Sequence, residues 1–154
     1  MSHLLRASPR RCRPVTMRAM KSLAKGAAEV FLVVAETVTP EVATLDAEGL
    51  ARMTGIVDAA LMDRDPKTRQ QIGSFLKLIR LAPVLRYGRT FDRLDTERRI
   101  AVLRWFQDGP VGLFRQGFWG LKAMVFMGYY GRPEARGEIG YAPEVDGRTG
   151  LGRA

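Results

Sequence analysis

Two residue types that build most catalytic and metal centres are almost missing from this sequence of 154 residues. It contains one cysteine, Cys12, and one histidine, His3, both within its first twelve residues. A single cysteine can form no disulfide within the chain, so cysteine usage leaves the redox compartment open. The two residues also provide no cluster with metal-ligand spacing and no Ser/His or Cys/His pair for nucleophilic catalysis. We therefore expect no catalytic, cofactor-binding or metal-binding residues in this chain.

Acidic residues are also in the minority, since 16 Asp and Glu face 25 Lys and Arg, for a formal net charge of +9. No acid precedes Glu29, and Pro9 and Pro14 oppose regular structure near the start. Residues 1–16 are therefore predicted to be a flexible basic arm. Such an arm could contact phosphate or anionic lipid, so a nucleic-acid-binding protein and a peripheral membrane protein both stay open as alternatives, with nucleic acid the less favoured partner. The basic residues concentrated in the first 25 residues are Arg6, Arg10, Arg11, Arg13, Arg18, Lys21 and Lys25.

Alternating strand patterns, phosphate-binding glycine loops and internal repeats are absent from the sequence. Four of its acids, Asp92, Asp95, Asp108 and Glu138, occupy positions typical of helix caps or turns, where a structural role is sufficient. These observations argue against an independent enzyme.

What the sequence does contain is apolar residues at the three-to-four spacing of helix faces. Thr39-Pro40 ends the first helix, because a residue before proline is driven out of helical geometry. The connector over residues 83–93 is expected to be held to the core by Leu85, Tyr87 and Phe91. The predicted helices cover residues 17–38, 47–62, 66–81, 96–107 and 111–130.

The last of these helices is mostly apolar and approaches the length of a membrane span. Arg115 and Lys122 stand seven residues apart, hence on one face, and each would cost a few kcal/mol in lipid. We therefore predict a buried central helix with one narrow polar stripe. Its glycines should allow another backbone to approach closely, and they are Gly112, Gly117, Gly120 and Gly128.

Beyond Gly131, a predicted helix-terminating glycine, Arg132-Pro133-Glu134 predicts one short helical turn. Frequent glycine then opposes regular structure, while Ile139, Tyr141 and Leu151 are spaced like anchors. The sequence thus predicts an all-α fold with about five helices in one compact domain over residues 17–131. A disordered basic arm would precede it, and an extended glycine-rich arm, residues 132–154, would follow.

Targeting signals are weak in this sequence. Arg10-Arg11 precedes a semi-apolar stretch, residues 27–38, in the manner of a twin-arginine export signal. Glu29 and Glu36 interrupt that stretch, which fits an amphipathic helix better. A cytoplasmic or membrane-associated location is therefore favoured over export.

Several short motifs give the chain a specific resemblance. They are Thr37-Val38-Thr39-Pro40, Trp105-Phe106-Gln107-Asp108-Gly109-Pro110, the F…LK stretch of residues 118–122, Tyr129-Tyr130-Gly131-Arg132-Pro133 and Ile139-Gly140-Tyr141. With them, residues 17–145 resemble the small subunits of the gluconate 2-dehydrogenase subunit 3 type and the N-terminal helical region of long-chain alcohol oxidases. The family's early D-T-L-I-P phrase is present only as Glu36-Thr37-Val38-Thr39-Pro40, and a clear export leader is not evident.

This resemblance implies a non-catalytic, chaperone-like small subunit that binds and stabilises a large oxidoreductase of the glucose-methanol-choline (GMC) family. FAD would belong to that partner, and this chain would bind no cofactor. The aromatic content of residues 105–141 suits a chain that lies along another protein. For each contact candidate the alternative is ordinary core packing. The candidates are Trp105, Arg115, Phe118, Trp119, Lys122, Tyr129, Tyr130, Pro133 and Tyr141.

Overall fold

A computed structural model describes residues 20–138, and every regular element in that range is helical. The fold is one compact all-α domain with five longer helices, which confirms the prediction from sequence. The basic arm and most of the C-terminal arm, including Ile139, Tyr141 and Leu151, lie outside the described residues. The helices are α1 (Lys25–Val38), α2 (Ala47–Met62), α3 (Pro66–Leu81), α4 (Val84–Tyr87), α5 (Thr96–Asp108), α6 (Gly112–Tyr130) and α7 (Pro133–Glu138), with 3-10 turns at Pro40–Thr44 and Phe91–Arg93.

Aspartate side chains set the starts of three of these helices. Asp46, Asp65 and Asp95 accept hydrogen bonds from backbone N–H groups three residues later, at 2.7, 2.6 and 2.9 Å. Such a carboxylate satisfies a donor that the first helical turn leaves without an intrahelical partner. Helices α2 and α3 have the predicted bounds, and α5 ends one residue later than predicted.

The first helix begins later than predicted. Residues 20–24 are not helical, and α1 starts at Lys25. Asp58 of α2 holds this stretch, because its carboxylate accepts hydrogen bonds from the Ser22 hydroxyl at 2.5 Å, the Ser22 N–H at 2.8 Å and the Lys21 N–H at 3.2 Å. A tertiary contact across 36 residues thus replaces the local helical bonds that the periodicity predicted.

The central helix of the fold is α1, not α6 as predicted. Half of its 14 residues are buried, among them Val30, Phe31, Val34 and Ala35. It packs against α3, α5 and α6. Its buried side chains are mostly small or β-branched, so other helices can approach it from several sides. By contrast, α6 lies at the periphery and buries only part of its surface. Across residues 20–138, none of the helices combines the length and the hydropathy that a membrane span requires.

The connector between α3 and α5 is anchored by fewer residues than predicted. Phe91 is fully buried and Tyr87 packs against the core, as expected. The prediction for Leu85 is wrong, because its side chain is 97% exposed. A helix of only four residues has one inward face, and in α4 this face is occupied by Tyr87. Gly88, with φ of 65°, then turns the chain away in a conformation that glycine adopts without strain.

Two of the four α6 glycines, Gly117 and Gly128, are closely packed, as predicted. A methyl group on Gly117 would lie 3.0 Å from the ring of Phe75, and one on Gly128 would lie 3.1 Å from the carbonyl oxygen of Met53 and 2.7 Å from Val57. At Gly120 the space is open, and at Gly112 only a flexible arginine is near. The close backbone approach is therefore between α6 and α2 at Gly128.

Gly128→Ala and Gly120→Ala should have opposite effects on stability. The added methyl at position 128 would displace Val57 or Met53, and overpacking of this kind costs about 1–3 kcal/mol. At position 120 the same change removes only the conformational disadvantage of glycine, which should stabilise the protein by roughly 0.5–1 kcal/mol. Urea unfolding of both variants measures whether each change raises or lowers the free energy of unfolding. Equal effects would contradict the close contact between α6 and α2.

The Asp58 contact should make stability depend on pH. Burial acts to raise the pKa of Asp58, but the hydrogen bonds from Ser22 and Lys21 outweigh it and lower the pKa below its ordinary value. A carboxylate with a lowered pKa stabilises the fold above its unfolded pKa of about 3.9, and this contribution is lost as pH falls through the folded pKa.

Asp58→Asn should therefore lower the free energy of unfolding at pH 7 by about 1 kcal/mol, a modest value because solvent screens this carboxylate. The difference from the unaltered protein should shrink as the pH falls below about 4. Asp63→Asn, at an exposed carboxylate after the same helix, is the matched control. Urea titrations at several pH values test this, and a constant difference would contradict it.

Candidate protein-interaction surface

Helix α6 divides its side chains between the core and solvent. Phe118, Leu121, Val125 and Tyr129 are buried, as is Gly128. Through this face α6 packs against α2, α5, α1 and α3. The prediction of a buried helix with one narrow polar stripe is therefore wrong. Much of the opposite face is apolar and exposed.

That exposed face carries a row of five residues, which we call the aromatic stripe: Arg115, Trp119, Lys122, Phe126 and Tyr130. Their spacing of four, three, four and four residues places them on one side of the helix. Trp119 is 53% and Tyr130 44% exposed, and Phe126 is also exposed. At 1.5 Å per residue the stripe extends about 22 Å along α6.

Lys122 links the two central rings of the aromatic stripe. Its ammonium nitrogen lies 4.9 Å from the centroid of the Trp119 ring and 5.7 Å from that of Phe126. A cation near the face of an aromatic ring is attracted by roughly 0.5–1 kcal/mol at exposed sites. These contacts limit the freedom of the two rings, so the surface is partly organised before any partner binds.

Neither cation of the stripe forms an ion pair within residues 20–138. Arg115 donates a long hydrogen bond of 3.4 Å to the carbonyl oxygen of Gly109. The ammonium group of Lys122 contacts aromatic rings instead of a carboxylate. The sequence of α6 contains no acidic residue. The stripe therefore presents two positive charges that an acidic surface could complement.

A further exposed aromatic residue lies at the end of α5. Trp105 is half-exposed, and its ring makes an edge contact with Phe106 at 5.1 Å and a tilted contact with Phe114 of α6 at 5.9 Å. Phe106 is fully buried. The exposed indole is thus fixed by a buried ring beneath it and stands beside the N-terminal part of α6.

The predicted contact candidates fall into three groups. Phe118 and Tyr129 belong to the core. Tyr141 lies outside the described residues. Lys122 is half-buried, and the exposed candidates are Trp105, Arg115, Trp119, Tyr130 and Pro133. Phe126 was not among the candidates, although its spacing from Trp119, Lys122 and Tyr130 was readable in the sequence.

A buried arginine, Arg132, lies just after the C-terminal end of α6. The Arg132 guanidinium lies 4.4 Å from the centroid of the Tyr129 ring, and its Nε donates to the Tyr129 carbonyl oxygen at 3.0 Å. Next to it, Glu134 of α7 forms an ion pair with Arg52 of α2. These contacts attach α7, the predicted short turn at Arg132-Pro133-Glu134, to the helical domain. The burial of Arg132 was not predicted from the sequence.

Metal-binding geometry is not found in the part of the chain that the structure describes, where no group of three or more His, Cys, Asp or Glu residues could hold an ion. This chain matches no family model, no curated protein and no solved structure. The resemblance to small subunits of the gluconate 2-dehydrogenase type therefore stays a prediction, supported by its motifs.

Neighbouring aromatic substitutions in α6 should separate core from surface. Phe118→Ala removes a buried ring and should lower the free energy of unfolding by about 3–5 kcal/mol. Trp119→Ala removes a half-exposed ring and one cation–π contact, so a loss of about 1 kcal/mol or less is expected. Urea unfolding measures both, and similar losses would contradict the two-faced helix.

Proposed function

We propose that this chain is a non-catalytic accessory subunit that binds and stabilises a large FAD-dependent oxidoreductase of the GMC family through the aromatic stripe. The observation that supports binding is the exposed row Trp119, Phe126 and Tyr130, with Lys122 between the first two rings and Arg115 one turn before Trp119. Tryptophan, tyrosine and arginine are the residues that contribute most often to the energetic centres of protein interfaces. Large exposed apolar patches on soluble domains commonly mark such interfaces.

The chemistry of the stripe defines the surface that it would fit. Each aromatic side chain can bury on the order of 150–250 Å². Three of them in a row form the apolar centre of an interface whose typical size is about 800 Å² per partner. Arg115 and Lys122 favour carboxylates on the opposing surface. The partner should therefore offer an elongated apolar groove with acidic residues along its edge.

The identity of the partner rests on the motif resemblance. Under this proposal FAD and the catalytic residues belong to the large subunit, and the small subunit helps it to fold, remain soluble or reach its destination. The C-terminal arm, with Ile139 and Tyr141, would extend the contact beyond α7.

Coexpression with a large flavoprotein subunit of the GMC family tests the proposal. Purification through a tag on this chain should yield a complex with the flavin absorbance of the large subunit. Trp119→Ala and Tyr130→Ala should each weaken binding about 30-fold, which corresponds to a loss of about 2 kcal/mol. Gln116→Ala, at an exposed α6 position outside the stripe, is the matched control. Dissociation constants from titration calorimetry provide the comparison.

The possible results distinguish an error in the proposed interface from an error in the proposed accessory role. A flavin-containing complex that tolerates both stripe substitutions would reject the stripe as the interface while leaving the accessory role standing. A monomer that never associates with the flavoprotein would contradict the accessory role itself. A chain ending at Glu138 retains every described helix, so weaker binding by it would assign part of the contact to residues 139–154.

A further inference from the structure

A second exposed apolar site lies where α3 meets α4. Leu81, Val84 and Leu85, which we call the Leu85 corner, all point to solvent around the buried Pro83. Leu81 is 57% exposed, and Leu85, at 97%, is the most exposed large hydrophobic side chain of residues 20–138. A side chain with so little contact contributes almost nothing to folding. With Leu81 and Val84 beside it, Leu85 forms a small exposed apolar cluster, and such clusters can mark binding sites.

Positive charge surrounds this corner. Residues 77–93 contain five basic side chains and one acidic one, a net charge of +4. The single acid, Asp92, is already paired with Arg80 at 3.4 Å. The four basic residues that remain are exposed, and they are Lys77, Arg86, Arg89 and Arg93.

The basic side chains are partly held in place by Tyr87. The guanidinium carbon of Arg86 lies 5.7 Å from the centroid of the Tyr87 ring, and that of Arg98 lies 5.5 Å from it. Tyr87 itself packs against the core. The corner therefore joins exposed leucines to Arg86, whose guanidinium lies near a fixed aromatic ring. Arg98 is also paired with Asp95.

We propose that the Leu85 corner attaches the protein to anionic lipid bilayers as a peripheral membrane contact. At a bilayer surface, the leucines can enter the boundary between headgroups and acyl chains while the arginines remain at the phosphates. Basic residues next to an apolar insertion are attracted by the negative potential of anionic lipid. An anionic bilayer would thus accommodate both the exposed leucines and the basic side chains of the corner.

The shape of the site favours lipid over the two macromolecular alternatives. A nucleic acid offers phosphates but no apolar receptor for a leucine that projects from a convex corner. A protein partner would need a surface much larger than three side chains, since stable interfaces bury about 800 Å² on each side. A bilayer requires no such complementary groove.

This site differs from the membrane contact that the sequence left open, which was a contact of lipid with the basic arm. The apolar residues of α1, including Val30, Phe31 and Val34, are in the core and are not available to lipid. The Leu85 corner is formed by other elements, and the proposal does not depend on the GMC partner.

Vesicle flotation of the full chain tests the proposal. The protein should float with vesicles of phosphatidylcholine and phosphatidylserine, and not with phosphatidylcholine alone. Leu85→Ser should weaken partitioning about tenfold or more, because one buried leucine is lost from the bilayer. The double change Arg86→Gln and Arg89→Gln should weaken it to a similar degree and reduce its sensitivity to salt.

Leu113→Ser, at a leucine on α6 that is 73% exposed, is the matched control and should bind like the unaltered protein. Circular dichroism of each variant verifies that it is folded. Absence of flotation with phosphatidylserine vesicles would overturn the proposal. So would binding that Leu85→Ser leaves unchanged, or tight binding to an oligonucleotide together with failure to bind vesicles.

Discussion

The packing of α1 against α3, α5 and α6 is the constraint on which the rest of the structure depends. The face that α1 buries is made mostly of alanine and valine with Phe31 among them, so the neighbouring helices can approach closely. The Asp58 contact with Ser22 holds the chain as it enters α1. Since α1 occupies the centre, every other helix has one side against the core and one side toward solvent.

This division explains the aromatic stripe. Helix α6 has bulky apolar side chains around most of its circumference, but its position at the periphery buries only one of its faces. Close contact with α2 at Gly128 fixes which face is inside. Trp119, Phe126 and Tyr130 are consequently left in solvent, with Lys122 between two of the rings. An exposed row of this kind is the physical basis for the proposed accessory role.

The two exposed apolar surfaces of the domain differ in chemistry and shape. The aromatic stripe is long, follows one helix and has rings that are partly fixed by cation–π contacts, features that suit a protein groove. The Leu85 corner is small and convex, and arginines lie beside it. An interface that needs little shape complementarity, such as a bilayer, suits the corner better. A protein with both surfaces could hold a soluble partner near a membrane.

The sequence by itself determined the all-α class and the bounds of α2 and α3, because aspartate caps, prolines and helical periodicity are local signals. It also named four of the five residues of the aromatic stripe as contact candidates, but it did not place their helix face in solvent. The start of α1, the exposure of Leu85 and the choice between Phe118 and Trp119 as the core residue were decided only by the tertiary structure. Periodicity describes a helix face without stating which face meets the core, and that is decided by the packing of the whole chain.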